Sequence, residues 1–343
     1  MLTVMVTGAG GNIADSMIRS LREWEEEVHI VGTEANDYYG YLSKADVTYQ
    51  VPLASDESYI SRINRLVQKE SVDVVLPSNG WEVLALSEAV SRLQASTALP
   101  SGDAVREFQN KWRLSQRLRT AEVPVPVTKL IETEEDIEEA VDTIKTDTVW
   151  VRGIGIKDVP GREMEGVRTI SDWIDYHNAW GKCTVSAYLR GADLTWLGVF
   201  DQGTLVCSQG RQRVDYAESE SWGGGAPTVS RTVHREDINQ LGEQAIQSVE
   251  ETPHGVYFTD MRENEHGQPM VTEVNPGRLG TTSSAFYLDA GLNLTVILVK
   301  IAIGREYESL SPYDVLPEGL YYISKASCEP VIVEEEEIET NGF

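Results

Sequence analysis

"GVYFTDMRENEHGQPMVTEVNPGR", Gly255 to Arg278, decides how this chain is read. Two β-branched and aromatic runs, Gly255–Arg262 and Pro269–Asn275, flank the polar turn "ENEHGQ" and predict an antiparallel hairpin. Glu273 and Asn275 are two apart, so on a strand they share a face. Asp260, on the partner strand, can reach the same spot. Two carboxylates and an amide oxygen are hard ligands that leave room for water and phosphate oxygens, a donor set suited to Mg²⁺. The plain alternative is three solvated residues at strand ends.

Upstream, Leu2–Thr7 is an apolar β-branched run, followed by "GAGGN" and the helical spacing Ile13, Met17, Ile18, Leu21. Val28–Gly32 and Val72–Leu76 read as strands and Asp56–Gln68 as an amphipathic helix. This alternation predicts a doubly wound parallel sheet. With Glu34 after the second strand, the glycine-rich turn could pass for an NAD fingerprint, but its glycines do not keep the G-x-G-x-x-G spacing. No Tyr-x-x-x-Lys pattern supports an NAD(P)-dependent reductase either.

From Asp103 one helix is expected to run to about Ala121, followed by the extended "VPVP". Thr133–Asp136, "TEED", has the form of a capping box. Thr148–Arg152 is an apolar strand ending in a cation before the glycine-rich "GIGIKDVPGREMEG". A helix around Trp173–Trp180 is followed by strands at Thr184–Leu189, Thr195–Asp201 and Thr204–Val214, and Arg235–Glu251 is helical. Arg211 and Arg213 alternate onto one strand face.

Taken together these segments resemble the ATP-grasp superfamily, and most closely the carbamoyl-phosphate synthase large-subunit-like carboxylate–amine ligases. The likeness runs from Val4 to about Gly304, and Asp260…Glu273-x-Asn275 is its most specific part. It implies an α/β fold: a Rossmann-like pre-ATP-grasp domain over residues 1–104, a lid subdomain over 105–185, a metal-bearing subdomain over 186–333, and an acidic tail over 334–343. It implies ATP with Mg²⁺ or Mn²⁺ held by Asp260, Glu273 and Asn275. Arg152 would face the α- and β-phosphates, and Gly161 and Gly166 would bound a lid closing over them. Tyr188 and Leu189 would read adenine through backbone groups, and Asp193 would accept from the ribose hydroxyls. Arg211 and Arg213 would face the γ-phosphate or acyl phosphate. Arg278 would bind phosphate or a substrate carboxylate, although Gly277 interrupts the usual Asn-Pro-Arg. "GGGAP", Gly223 to Pro227, could be a substrate-side loop or a plain linker.

The activity so implied is ATP-dependent activation of a small carboxylate as an acyl phosphate, captured by an amine or other nucleophile. A small-molecule kinase or another ATP-binding protein is the alternative. Carbamoyl phosphate synthesis itself would need two such halves.

Composition narrows the setting. With 55 acidic and 29 basic residues the net charge is −26, which opposes binding to nucleic acid or anionic membrane. So acidic a chain suits a halophilic cytoplasm, where counterions screen self-repulsion. Cys183, Cys207 and Cys328 are too scattered for a disulfide framework or zinc site and read as small buried hydrophobes. The N-terminus opens directly on a strand without the marks of a signal peptide. The longest apolar run, Leu292–Ile303, is too short to span a bilayer. Self-association as a homodimer stays open.

Overall fold

The computed structural model describes residues 1–146, 148–156, 159–216, 227–280, 283–325 and 328–336. The β-branched runs of the N-terminal third form β1 (Leu2–Thr7), β2 (Val28–Glu34), β3 (Val47–Gln50) and β4 (Val74–Leu76). They pair in parallel in the order β3-β2-β1-β4. The crossover helices α1 (Asn12–Arg22) and α2 (Tyr59–Glu70) bury their apolar stripes, Met17, Ile18 and Leu21 on the first and Ile63, Leu66 and Val67 on the second. Strand β3 escaped the sequence reading because "VTYQ" is short and half-exposed at a sheet edge.

After α3 (Gly80–Ser87), the single helix expected between Asp103 and Ala121 is in fact two, α4 (Gly102–Gln109) and α5 (Lys111–Thr120). Asn110 breaks it with an extended backbone (φ −96°, ψ 102°), and its side chain accepts from the Arg113 N–H at 3.0 Å. The Lys111 N–H donates outward to the Ile154 carbonyl at 2.8 Å, fastening the break to the small sheet that follows.

That sheet comprises β5 (Thr128–Ile131), β6 (Thr148–Gly153), β7 (Arg162–Glu165) and β8 (Cys183–Ala187), antiparallel in the order β5-β8-β6-β7. Helix α6 (Glu134–Ile144), opened by the Thr133–Asp136 capping box, and α7 (Val167–His177) cover it. Ile137, Val151, Ile174 and Val185 give it a separate core. The lid expected between Gly161 and Gly166 is displaced: that stretch is mostly β7, paired in register with β6. The connection between the two strands is residues 154–161, of which 157 and 158 lie outside the described residues.

The large sheet is antiparallel and ordered β13-β12-β9-β10-β11-β14-β15. Its strands are β9 (Asp193–Asp201), β10 (Thr204–Tyr216), β11 (Pro227–Val233), β12 (Gly255–Glu263), β13 (Pro269–Pro276), β14 (Leu320–Lys325) and β15 (Cys328–Glu334), with α8 (Glu236–Gln247) between β11 and β12. Strands β14 and β15 were not anticipated, although "LYYISK" and "CEPVIVE" are rich in aromatic and β-branched residues. Of the expected "GGGAP" loop, Gly223–Ala226 lie outside the described residues and Pro227 begins β11.

Helices α9 (Ser283–Asp289) and α10 (Leu294–Ala302) pack back onto α1, and α10 also meets β4. Leu294, Ile297 and Leu298 share one core with Val4, Met17 and Leu21. A chain of hydroxyls crosses this junction, Ser20 to Ser284 and Ser284 to Thr295, each at 3.0 Å. The N-terminal domain and the large sheet are thereby one body. No single helix among the described residues is long and apolar enough to cross a membrane; the bent α9–α10 pair is buried in this core.

Candidate active site

Register brings the sequence-predicted residues together. Asp260 on β12 stands directly opposite Glu273 on β13 and opposite Thr195 on β9, and Thr195 in turn faces Arg211 on β10. One row across four strands therefore runs Glu273, Asp260, Thr195, Arg211. Asn275 lies two residues from Glu273 and donates from Nδ2 to Asp260 Oδ2 at 3.1 Å.

Cations converge on the acidic end of the row. Arg152, next to last in β6, holds its Nη1 3.6 Å from Glu273 Oε2 and donates to the Thr272 carbonyl. The Arg213 guanidinium bridges Asp260 and Asp193. Arg278 donates from Nη2 to Asn275 Oδ1 at 2.7 Å. Gly277 does not throw Arg278 off the site: it turns the chain at φ +70° and donates to the Val256 carbonyl at 2.7 Å. A Cβ there would stand 2.6 Å from Val83 Cγ1, so close packing on α3 requires glycine.

Sequence reading missed Lys111 as a site residue. Its Nζ lies 3.8 Å from Glu273 Oε1 and donates to the Gly155 carbonyl at 3.0 Å. Only the unrecognised helix break at Asn110 could have drawn attention to it.

The electrostatics differ along the row. Burial pushes the Asp260 carboxyl up, helped by Glu273 and Asp193 and opposed by Arg213. Burial also acts to raise Glu273, but the attraction of Lys111, Arg152, Arg278 and Arg213 outweighs it and holds that carboxyl below the ordinary range. Burial lowers the Arg211 guanidinium, and neighbouring Arg213 lowers it further.

Arg211 is 3% exposed and ringed by Phe258, Phe286 and Tyr287 at 5.2–5.8 Å. Its Nη2 donates to Ser283 Oγ at 3.0 Å, while its Nη1 is buried with no partner among the described residues. An uncompensated buried guanidinium is costly, and an anionic ligand would offset that cost.

The expected nucleotide-edge residues are placed as follows. Tyr188 stacks on Trp150 (centroids 6.1 Å apart, planes 22°), with the Arg190 guanidinium 5.4 Å from its ring centre, and Leu189 is buried. Gly161 packs flat on Trp150, and Gly166 (φ +79°) caps α7. Asp193 departs from expectation: it is bound by Arg213 and by the Tyr216 hydroxyl, so its acceptors are engaged inside the protein. Cys183 and Cys207 are buried free thiols, as expected of small hydrophobes.

Three backbone N–H groups of the glycine-rich first turn are engaged within the protein. Ala9 donates to the Thr33 carbonyl, Gly11 to the Gly8 carbonyl, and Gly10 to Glu34 Oε2 at 3.1 Å. The Tyr39 carbonyl lies where a Cβ on Gly10 would be.

Comparison with known proteins agrees with this geometry. Residues 108–282, just over half of the chain, match the ATP-grasp domain, and residues 4–98 match the PylC-like, N-terminal domain. The chain belongs to the ATP-grasp family. A search of curated proteins finds no match. Among solved structures it is similar to an L-amino acid ligase from Bacillus licheniformis (13% identity, TM-score 0.72, 94% of this chain and 79% of that one). It is also similar to N5-carboxyaminoimidazole synthetase from Staphylococcus aureus (13%, 0.70, 94% and 82%). A third is the biotin carboxylase domain of 2-oxoglutarate carboxylase from Hydrogenobacter thermophilus, solved as a dimer with MgADP (15%, 0.73, 94% and 74%).

Proposed function

We propose that the chain is an ADP-forming ligase of the carboxylate–amine type. The row Glu273–Asp260–Thr195–Arg211 carries this reading, with acids at one end, cations around them, and an unpartnered buried guanidinium at the other. The donor set fits a magnesium ion: two facing carboxylates, one pushed up by burial and then by its neighbour, with the Asn275 amide alongside. Asp260, Glu273 and Asn275 would hold it, and such an ion supplies charge neutralisation to the β- and γ-phosphates.

The substrate carboxylate attacks the γ-phosphorus of ATP and ADP leaves, giving an acyl phosphate. An amine nitrogen then attacks the acyl carbon, inorganic phosphate leaves, and the nitrogen sheds a proton as the amide forms. Arg152, Lys111 and Arg278 bind and orient the phosphate chain, Arg213 holds Asp260 in place, and Arg211 receives the anion of the acid or its phosphate. Tyr188, Leu189 and Trp150 form the adenine edge.

We also propose that the site is of the carbamoyl-phosphate synthase type, with Arg152 as the cation beside Glu273. We further propose a cytoplasmic, salt-adapted enzyme, on the strength of the −26 charge.

The test is ADP release from MgATP across a panel of small carboxylates, with hydroxylamine as the trapping amine. A hydroxamate is expected. ADP formation with a stable phosphorylated product and no hydroxamate makes the protein a kinase instead.

A further inference from the structure

Two polar groups at the Arg211 end of the row lack partners, and together they constrain the chemistry of the acid. Arg211 Nη1 and the Tyr287 hydroxyl are both buried with no hydrogen-bond partner among the described residues. The two groups are neighbours. The Arg211 guanidinium lies 5.8 Å from the centre of the Tyr287 ring, and its charge opposes the upward push that burial gives the phenol. An N–H and an O–H donor left unmet out of water are costly, and an anion that takes both offsets the cost.

The surroundings are apolar and converge on the same point. The Phe258 and Phe286 ring centres stand 5.8 and 5.2 Å from the same guanidinium, and Tyr322 meets Phe286 with centres 5.3 Å apart. All of these rings are buried. Ser283 Oγ, at the start of α9, takes Nη2 at 3.0 Å and leaves Nη1 as the donor for a ligand.

The carboxylates that act on this cluster are already engaged. Asp260 acts on Arg211 but is in an ion pair with Arg213, and Asp289 acts on Tyr322 but is in an ion pair with Arg19. A metal ion on Asp260 would engage that carboxylate as well. Arg213, two residues along β10, also acts on Arg211 and lies 5.9 Å from the Phe258 ring centre. The corner therefore holds two guanidinium groups, and neither Asp260 nor Asp289 is free to meet a further cation.

We infer that this corner selects the acid: a carboxylate with an apolar body and no ammonium group beside it, bound through Arg211 Nη1 and the Tyr287 hydroxyl. Such an acid satisfies both orphan donors and lays its hydrocarbon against the aromatic rings. An α-ammonium would be brought against two guanidinium groups without a free counter-charge, which opposes amino acids as the activated substrate. Tyr287 is then a specificity-determining residue. The inference rests on the ligase reading and narrows its acid to one class.

Isothermal titration of the full chain in molar KCl with MgADP present tests it, using 3-methylbutyrate and L-valine as probes. The two share an isopropyl body and a carboxylate and differ by the α-ammonium. 3-Methylbutyrate is expected to bind at least about tenfold tighter than valine. Tyr287→Phe keeps the ring and loses only an unpartnered hydroxyl. It should weaken 3-methylbutyrate about fivefold or more while leaving MgADP affinity and the thermal midpoint unchanged. Valine bound as tightly as 3-methylbutyrate, or more tightly, overturns the proposal. So does 3-methylbutyrate binding that ignores Tyr287→Phe or is absent from wild type that binds MgADP, and so does a marked fall in the variant's thermal midpoint, which would make the hydroxyl a structural group. Failure to bind MgADP in the same samples sinks the ligase reading, and this inference with it.

Discussion

Asp260 and Glu273 face each other across β12 and β13, yet their carboxyls are pushed in opposite directions. Burial and mutual repulsion act on both. The difference is the cations close to each: among the described residues Arg213 is the one in an ion pair with Asp260, whereas Lys111, Arg152, Arg278 and Arg213 together act on Glu273. Glu273 is thus the carboxylate that stays charged most firmly.

Removing that charge should cost catalysis far more than stability. Glu273→Gln keeps the shape while leaving Lys111, Arg152 and Arg278 without their main counter-charge, so turnover should fall at least about a hundredfold, roughly 3 kcal/mol. The measurement is hydroxamate formation at saturating Mg²⁺ on protein shown to be folded. Undiminished turnover would remove the metal site from this reading.

Arg211 predicts the reverse balance. Arg211→Met replaces a buried, part-satisfied guanidinium by an apolar chain that suits Phe258, Phe286 and Tyr287. Replacing buried charge in this way is often stabilising, by about 1 kcal/mol or more. Denaturant titration should therefore show a protein no less stable than wild type, with turnover at least about a hundredfold lower. A strongly destabilised variant would mean that Arg211 serves the fold.

Glu82 gives a pH dependence of known sign. Burial pushes its carboxyl up to about 7, with Glu34 adding to the shift and the Thr7, Tyr59 and Asn79 contacts opposing it. A folded value above the unfolded value means that the folded state holds a proton which the unfolded state has lost. This contribution to stability is full below about pH 4.5 and is lost as pH rises to about 7. Glu82→Gln should flatten that part of the profile and gain most relative to wild type above neutrality. Parallel profiles across pH 5–8 (about the range in which histidines also titrate) would contradict the assignment.

Salt should stabilise the protein. Added ions weaken surface pairs such as Arg19–Asp289 and Arg305–Glu26, which join the N-terminal domain to the far end of the chain. Such pairs contribute only about 0–1 kcal/mol each, whereas screening relieves repulsion among all the excess acids. The thermal midpoint should rise markedly from dilute buffer to molar KCl. A flat profile would show that the −26 charge is not an adaptation to salt.

Much of this was legible in the sequence because it depends on period and order. The alternation around Asp260, Glu273 and Asn275 put them on one face, and strand–helix alternation gave the parallel sheet. What escaped depends on tertiary contact. Asn110 breaks a helix because the Ile154 carbonyl takes the next N–H, and no local propensity reports that. Asp193 is engaged because Arg213 and Tyr216 arrive from β10. Gly277 looked like a departure until α3 was found packed against it.

The shared core of the N-terminal domain and helices α9 and α10 bears on how the chain is made. Val4, Met17 and Leu21 leave the ribosome long before the residues that cover them, Leu294, Ile297 and Leu298. The small sheet carries its own core and can close as soon as it has emerged. During translation, therefore, the parallel-sheet domain waits with an apolar face open while the small sheet that follows it finishes ahead of it. In a growing chain that face is the one a chaperone would have to shield.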